Sequence, residues 1–362
     1  MKLLALPLYP EHHPSSRFRV YSYLPFLRQA GIEVEVIPAV SLESYRAYYN
    51  SPRFFDRLRY HGHEIRNRLE ASRRAKAFDV LWVQKAFSLI YWRWWPRWFR
   101  GAGVPIVYDI DDAVFLEPPA RSPVYLRWFE QRDQIERIVQ DADVVLAGNR
   151  FLAGYVEEQG GRPVMLPTGV DVEQFYPKPE SQREKIVIGW SGSRGTHRCL
   201  NSIRSLWCSL AERFPGRLEI LVVSGERAGI DFEAFSPLPV CFECWSPERE
   251  ADLIQEMDVG LMPLEDNAFQ RYKCGFKAIQ YMACGLPVIS SPVGVSSEIV
   301  EHERTGYCAA TIEEWLEGLT KLIESRDLRV AFGAAGREKV ERLYSLTVCA
   351  PKLIEVFREL SR

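Results

Sequence analysis

Short apolar runs alternate with longer amphipathic segments twice along this chain, and this alternation constrains the fold more than any other feature of the sequence. In the first half we predict strands at 2–8, 34–38, 80–83, 106–110 and 144–147. The pattern begins again in the second half, where we predict strands at 186–190, 218–223, 259–262, 288–289 and 307–308. Strands that alternate with helices form parallel sheets covered by helices on both faces. The sequence therefore predicts an α/β fold with two doubly wound, Rossmann-like halves.

A segment rich in Pro, Glu, Lys and Gln at 171–185 separates the two halves, and 362 residues are enough for two domains. We predict an N-terminal domain at 1–168 and a C-terminal domain at 169–345. The last helix, at about 346–362, is expected to cross back onto the N-terminal domain. Ligands of doubly wound sheets bind beyond the carboxyl ends of the strands. We therefore expect these two edges to face each other across a cleft.

Cysteine usage and charge limit the classes of protein to which this chain can belong. All eight cysteines follow residue 198, which is unlike a secreted disulfide framework and predicts a reducing, cytoplasmic location. The first apolar run is too short for a signal peptide, and no run is long enough to span a membrane. Cys241 and Cys244 form a C-x-x-C without a second pair at zinc spacing, so a metal or redox role is disfavoured.

A basic and aromatic segment departs from the regular pattern. Between residues 46 and 100, thirteen Lys or Arg oppose four acids, and residues 91–100 read YWRWWPRWFR. Tryptophan interleaved with arginine is typical of an anchor on an anionic membrane surface. A packing helix with arginines at its rim explains the same composition equally well. A nucleic-acid partner is disfavoured, because the net charge is −2 and no recognised binding motif accompanies the segment.

A loop of small residues, Gly192, Ser193, Arg194 and Gly195, follows the opening strand of the second half. The backbone N–H groups of such a loop can approach a phosphate, and the start of a following helix favours the negative charge. Arg194 is able to add a bidentate contact. The glycine spacing does not match the dinucleotide pattern, so NAD is disfavoured. A tight strand-to-helix turn without a ligand is the alternative.

Two lysines, Lys273 and Lys277, lie at the start of a helix predicted at 277–283, which Gly285 ends before Pro287 begins the next strand. Cations at a helix N-terminus oppose the helix dipole. Their presence is favourable if an anion binds between them and the helix. A solvated pair of lysines is the alternative.

The run 272–289, YKCGFKAIQYMACGLPVI, resembles the donor-site signature of the retaining glycosyltransferases of family 4, which have the GT-B fold. That signature has two glutamates eight positions apart, and here Tyr272 and Gln280 stand in those positions. The amide of Gln280 is still able to hydrogen-bond ribose hydroxyls. The resemblance implies that Lys277 reaches the diphosphate of a nucleotide sugar.

The resemblance extends over essentially the whole chain. Residues 166–171 resemble the hinge between the domains, 258–264 the strand and loop before the donor motif, and 292–300 the loop and helix that close over the donor. Trp245 lies where such folds contact the base, although packing in the core explains this residue equally well. The donor-binding residues expected from the loop, the lysines and the resemblance are Gly192, Ser193, Arg194, Trp245, Lys273, Lys277, Gln280, Ser297 and Glu298.

Three acids, Asp109, Asp111 and Asp112, lie at the carboxyl end of a strand in the first half and are expected to face the cleft. The resemblance places Asp111 where many members of the family carry a histidine that contacts the transferred sugar. A carboxylate there stabilises positive charge at the anomeric carbon. The spacing of Asp109 and Asp111 also matches the metal-binding Asp-x-Asp of the unrelated GT-A fold. Acids that cap the next turn are a third interpretation.

The loop after the first strand carries Arg17 and Arg19, which we predict to hold an acceptor phosphate or the donor diphosphate. Ordinary surface cations are the alternative. Together with Asp112, these arginines form the predicted acceptor site. The predicted catalytic residues are Asp111, Arg194 and Lys277.

The sequence as a whole predicts a glycosyltransferase that uses a UDP- or GDP-linked sugar, with retention and without a metal or another cofactor, as the resemblance implies. We expect a glycan or lipid-linked acceptor in cell-surface polysaccharide or glycolipid synthesis, and peripheral association with the inner membrane face. A non-catalytic binding subunit with the same fold is one alternative, favoured by the missing glutamates and disfavoured by the retained lysines. A sugar-nucleotide epimerase is another.

Overall fold

The chain divides into two compact units, one formed by Met1–Gly169 with Leu346–Arg362 and the other by Val170–Ser345. The computed structural model describes residues 1–50, 54–88, 95–116, 133–178 and 183–361. Each unit contains one six-stranded sheet, and all neighbouring strands are parallel. The predicted α/β class with two parallel sheets is confirmed.

The sheet of the N-terminal unit has the strand order β2-β1-β3-β4-β5-β6. Its strands are β1 (Lys2–Pro7), β2 (Glu33–Val36), β3 (Val80–Gln84), β4 (Ile106–Ile110), β5 (Val144–Ala147) and β6 (Pro163–Met165). Strands β3 and β4 are buried along their whole length, which is why they are continuous apolar runs in the sequence. Strand order reverses between β1 and β3, so a ligand is expected beyond the carboxyl ends of these two strands.

Helices connect the strands of this parallel sheet and cover it. The helices of the N-terminal unit are α1 (Pro14–Arg19), α2 (Leu24–Gln29), α3 (Leu42–Asn50), α4 (Phe54–Arg74), α5 (Trp95–Arg100), α6 (Gln134–Asp141), α7 (Arg150–Glu158) and α15 (Leu346–Leu360). The sequence predicts one helix at 17–29, and this prediction is wrong. A short 3-10 turn at Tyr21–Tyr23 separates α1 from α2. Pro25 lies in the first turn of α2, where its missing amide hydrogen is tolerated, but it prevents a continuous helix.

The last helix of the chain, α15, belongs to the core of the N-terminal unit. Leu353 and Phe357 are buried in the same apolar cluster as Leu3 and Trp82 from the sheet. The ring of Phe357 packs edge-on against that of Trp82, with 5.3 Å between the ring centroids. Burial of these apolar side chains holds the C-terminal segment on this unit.

The sheet of the C-terminal unit has the order β12-β11-β10-β7-β8-β9. Its strands are β7 (Ile186–Gly192), β8 (Leu218–Ser224), β9 (Val240–Cys244), β10 (Val259–Met262), β11 (Val288–Ser290) and β12 (Gly306–Cys308). Its helices are α8 (His197–Asn201), α9 (Leu206–Arg213), α10 (Glu250–Ile254), α11 (Phe276–Ala283), α12 (Ser296–Ile299), α13 (Ile312–Glu324) and α14 (Arg326–Leu343). This is the strand order of dinucleotide-binding Rossmann domains, with the reversal between β7 and β10. A ligand of this unit is therefore expected where β7 and β10 end.

The basic and aromatic segment lies only partly in the described residues, since 91–94 fall outside them. In helix α5, Phe99 is buried and its ring stacks on that of Phe87, whereas Trp98 is 44% exposed. Arg100 forms an ion pair with Asp141 of α6. The helix thus has one packed face and one exposed aromatic side chain. Within the described residues, no helix has the combination of length and apolar character that a membrane crossing requires.

Candidate functional site

Strand β7 leads into a tight turn at the place where the strand order of the C-terminal sheet reverses. After Ser193, a 3-10 turn at Arg194–Thr196 continues directly into α8. The N–H and the hydroxyl of Thr196 both donate to the carbonyl of Ser193, at 2.8 and 2.9 Å. The predicted loop is therefore present, but the helix after it has only five residues. Side chains from elsewhere in the unit must supply most of the positive charge.

The principal cation at this turn is Lys277, in the first turn of α11. The helix begins immediately after Gly275, whose φ of 61° lies in the left-handed region that favours glycine. The ammonium of Lys277 donates to Oγ1 of Thr196 at 3.1 Å and lies 4.7 Å from the ring centroid of Trp190. A Cβ atom on Gly192 would lie 2.2 Å from the ring of Trp190 and 2.7 Å from this ammonium, so glycine leaves the room that the ring beneath the ammonium needs. The end of β7 and the start of α11 therefore meet at one ammonium group.

The lowered pKa of Lys277 is typical of a lysine that binds an anion. Burial lowers its pKa to about 7, and the positive charge of Lys273 acts in the same direction. The ammonium of Lys273 itself lies 5.2 Å from the ring centroid of Phe269. A desolvated cation beside a second cation gains free energy when an anion binds nearby, because the anion restores its charged form.

Gln280 lies one turn after Lys277 on α11, on the same side of the helix. It is only 3% exposed, and its Nε2 has no hydrogen-bond partner among the described residues. A buried amide donor without a partner is costly, so an acceptor atom on a ligand would stabilise it. Tyr272, at the position of the first missing glutamate, lies in a short 3-10 turn and is partly buried.

A buried histidine that we did not single out in the sequence joins the ends of β7 and β8. His197 is 2% exposed, and its Nε2 and Nδ1 lie 2.9 Å from Oγ of Ser224 and 3.0 Å from the carbonyl of Ala228. Burial lowers the pKa of His197, so the ring is neutral and accepts from Ser224 while it donates to Ala228. In the sequence, the position of His197 two residues after the small-residue loop could have indicated that it belongs to the site.

The remaining predicted residues of the C-terminal unit lie nearer the surface. The side chain of Arg194 is 77% exposed and lies 3.6 Å from the carboxylate of Glu226. Trp245 is the first residue after β9, and its backbone N–H donates to the carbonyl of Ser224, the last residue of β8, at 3.0 Å. Ser297 and Glu298 are exposed on the four-residue helix α12.

The carboxyl ends of β1, β3 and β4 bring together a second group of side chains, in the N-terminal unit. We call this group the N-terminal polar cluster, and its members are Ser15, Gln84, Lys85, Asp111 and Asp112. The hydroxyl of Ser15 donates to Oδ2 of Asp111 at 2.6 Å, and Nε2 of Gln84 donates to Oγ of Ser15 at 3.0 Å. The ammonium of Lys85 lies 3.9 Å from Asp111 and 3.8 Å from Asp112.

The carboxylate of Asp111 is stabilised within this cluster. Burial alone would raise its pKa, but Lys85, the hydroxyl of Ser15 and, to a smaller extent, Arg19 and His13 together hold the pKa below its ordinary value. Asp111 is therefore ionised at neutral pH. An ionised carboxylate is what the predicted electrostatic role requires.

The structure places Arg19 in the core of the N-terminal unit, and its predicted role at an acceptor stays a prediction. Its side chain is fully buried, its Nε donates to Oδ1 of Asp109 at 2.8 Å, and its Nη1 donates to the carbonyl of Leu166 at 2.7 Å. Asp109 is equally buried and is engaged with Arg19, so it does not share a metal site with Asp111 as the GT-A alternative requires. Arg17 stays a candidate, since it is partly exposed and its guanidinium lies 4.3 Å from the ring centroid of Phe18.

Comparison with known proteins agrees with the resemblance read from the motifs. The family model for glycosyl transferases group 1 matches residues 210–325. The GDP-mannose-dependent alpha-(1-6)-phosphatidylinositol monomannoside mannosyltransferase of Mycobacterium tuberculosis is 33% identical over 254 residues, which are 63% of this chain and 64% of that protein. The chain spans about half to two thirds of the length of the curated relatives it matches.

Solved structures match the whole chain. Sucrose-phosphate synthase from Thermosynechococcus elongatus has a TM-score of 0.71 at 16% identity, over 99% of both chains. Anabaena HepE, in complex with UDP and glucose, has a TM-score of 0.69 at 16% identity, over 99% of this chain and 100% of HepE. These likenesses confirm the predicted GT-B fold, and over residues 210–325 the chain is similar to the glycosyl transferases of group 1.

Proposed function

We propose that this chain transfers a sugar from a nucleoside diphosphate sugar to a glycan or lipid-linked acceptor, with retention at the anomeric carbon and without a metal or another cofactor. The observation that carries the proposal is the ammonium of Lys277, fixed by Thr196 where β7 ends in the C-terminal sheet. Departure of a diphosphate develops negative charge on its oxygens, and a preorganised cation in a partly desolvated position stabilises that charge.

The residues around Lys277 suit the rest of a nucleotide sugar. In the turn after Ser193 the N–H of Thr196 is already bonded, which leaves those of Arg194 and Gly195 for phosphate oxygens. Lys273 and the Arg194 side chain are further cations. The unpartnered Nε2 of Gln280 offers a hydrogen bond to a ribose hydroxyl oxygen. Trp245, directly after β9, is suited to contact the base. The complex of HepE with UDP and glucose supports a uridine nucleotide, and the GDP-mannose dependence in the mycobacterial relative's name supports guanosine.

We assign the acceptor to the N-terminal unit. There the carboxylates of Asp111 and Asp112 lie at the ends of the central strands, with Arg17 on the adjacent helix. Asp111 is suited to stabilise positive charge at the anomeric carbon during transfer. The relative from Mycobacterium tuberculosis is named for a phosphatidylinositol mannoside acceptor, which supports a lipid-linked acceptor and a role in glycolipid or cell-surface polysaccharide synthesis.

Donor binding tests this function directly. We expect one class among UDP-, GDP- and ADP-sugars to raise the Tm, because a ligand at 100 times its Kd stabilises the native state by about 2.7 kcal/mol. The same sugar nucleotide should then be hydrolysed slowly or transferred, as measured by release of the nucleoside diphosphate. If no nucleotide sugar binds, the function is refuted. Binding with neither hydrolysis nor transfer would instead favour the non-catalytic subunit, for which the missing glutamates argue.

We also propose that the N-terminal unit associates peripherally with an anionic membrane on the cytoplasmic side. Helix α4 exposes Phe55 and Leu58 among basic residues, and α5 exposes Trp98. We expect the protein to sediment with vesicles that contain phosphatidylserine at low salt and to dissociate at high salt. Phe55→Ser with Trp98→Ala should weaken binding about tenfold or more, the scale of losing buried apolar area. Equal binding to neutral phosphatidylcholine vesicles, or no binding to either, would contradict this.

A further inference from the structure

Lys85, the residue directly after β3, has a backbone conformation that side chains rarely adopt. Its φ is 71°, in the left-handed region, although it is neither glycine nor asparagine. Two hydrogen bonds to β4 fix it there. Its N–H donates to the carbonyl of Asp109 at 2.8 Å, and the hydroxyl of Tyr108 donates to its carbonyl at 2.8 Å. Such conformations persist where the surroundings impose them, and they concentrate at functional sites.

The strained backbone directs the side chain of Lys85 into the N-terminal polar cluster. The residue is only 9% exposed, and its ammonium lies between the carboxylates of Asp111 and Asp112, at 3.9 and 3.8 Å. The hydroxyl of Ser15 contacts the other oxygen of Asp111 at 2.6 Å. Asp111 is thus held from two sides, by a cation that follows β3 and by a hydroxyl at the start of α1.

We propose that Lys85 is a positioning residue for sugar transfer, whose left-handed backbone aims its ammonium so that the Asp111 carboxylate stays ionised and correctly oriented. The inference rests on the proposed function, because it assigns Asp111 to the reacting sugar. Lys85 acts through Asp111 and is not itself a catalytic residue. Neither the motifs nor the resemblance to family 4 pointed to it.

The surroundings of Asp111 explain why this one cation matters. Within the described residues, the titratable and charged groups that face Asp111 are His13, Arg19, Lys85, Asp109 and Asp112. Burial lowers the pKa of His13 to about 3, with Lys85 acting in the same direction, so the ring is neutral. Arg19 is already engaged with Asp109. Of the two cations, Lys85 has the larger effect on the pKa of Asp111, and Arg19 acts in the same direction more weakly.

The test separates the backbone of Lys85 from its charge. Asparagine adopts the left-handed region readily, so in Lys85→Asn the relief of backbone strain should offset part of the stability lost with the cation, and the variant should still fold. We expect its kcat/KM at pH 7 to fall about tenfold. Without the cation the pKa of Asp111 rises. On acidification, the variant should therefore lose activity at a pH about one unit higher than wild type does. Lys85→Arg should retain the wild-type pH profile, and Lys76→Asn, at an exposed position in the same unit, should change nothing.

A titration without substrate keeps this inference distinct from the proposed function. The Asp111 carboxyl is followed by 13C NMR across pH in the full-length protein and assigned by its absence in Asp111→Asn. A higher midpoint in Lys85→Asn than in wild type supports the inference, even if the wild type transfers no sugar and the proposed function fails. Equal midpoints overturn the inference, as does a stable Lys85→Asn variant with wild-type activity and pH profile.

Discussion

Lys277→Met is expected to lower kcat/KM about 100-fold or more while the protein keeps its fold. The reason is that the ammonium of Lys277 is held by Thr196 over the ring of Trp190, where the leaving diphosphate is proposed to bind. Loss of one preorganised group that stabilises developing negative charge typically costs 100-fold to 1,000-fold in rate. The measurement is the steady-state rate of nucleoside diphosphate release with the donor found by thermal shift. Lys321→Met, an exposed lysine of the same unit that pairs with Glu317, is the matched control.

The pKa of Lys277 adds a second signature that concerns binding alone. Burial lowers this pKa to about 7 in the free protein, and the diphosphate should raise it. Binding at pH 8 should therefore take up a proton, and affinity should be constant below pH 7 and weaken as pH rises above it. Calorimetry in buffers of different ionisation enthalpy measures this uptake. Wild-type activity in Lys277→Met, or the same proton uptake in that variant, would refute the assignment.

The same shift predicts the stability of the free protein. The pKa of lysine in an unfolded chain is about 10.4, well above the folded value of about 7. Between these values the unfolded state binds more protons than the folded state. The free energy of unfolding should therefore increase, and the protein become more stable, as pH rises from 7 towards 10. Methionine at this position lacks that dependence and removes a desolvated charge, which is why the variant is expected to stay folded.

Local sequence patterns were sufficient to predict most of the strands and helices of the fold. The central strands of both parallel sheets are buried on two faces and are therefore apolar runs in the sequence, and Gly285 marks the end of α11 as predicted. Strand β6 was missed because it is three residues long, partly exposed and begins with Pro163, so its apolar run is too short to indicate a strand. The apolar periodicity at 17–29 predicts one continuous helix. Pro25 was the residue that indicated a break between α1 and α2.

The candidate site was predictable where its residues are close in sequence, as in the loop at Ser193 and the start of α11 at Lys277. It was not predictable where distant residues decide the environment. The sequence predicts that Arg19 holds a phosphate, with a surface cation as the alternative. The structure instead pairs it with the buried carboxylate of Asp109, ninety residues away. Lys85 owes its conformation to bonds from β4, which no local pattern reveals.

The buried pair of Arg19 and Asp109 carries the last prediction, which concerns stability. We expect Arg19→Met to lower the free energy of unfolding by about 3–5 kcal/mol, because it leaves an uncompensated carboxylate at a fully buried position. Burial already raises the pKa of Asp109 to about 6 against the effect of Arg19, and without Arg19 it should rise further. A carboxyl group whose pKa is raised in the folded state destabilises that state more as pH rises. The loss of unfolding free energy in Arg19→Met should therefore be smaller at pH 5 than at pH 8.

Guanidinium chloride unfolding of Arg19→Met, Asp109→Asn and the double variant measures this directly. The double variant should lose less than the sum of the single losses, since replacing both partners leaves no isolated charge in the core. Arg17→Met is the control, because its partly exposed side chain tolerates the same change with little loss of stability. An Arg19→Met variant that is as stable as wild type but binds acceptor poorly would show that Arg19 recognises a substrate after all. A pH-independent deficit would instead show that the Asp109 charge is not the cause.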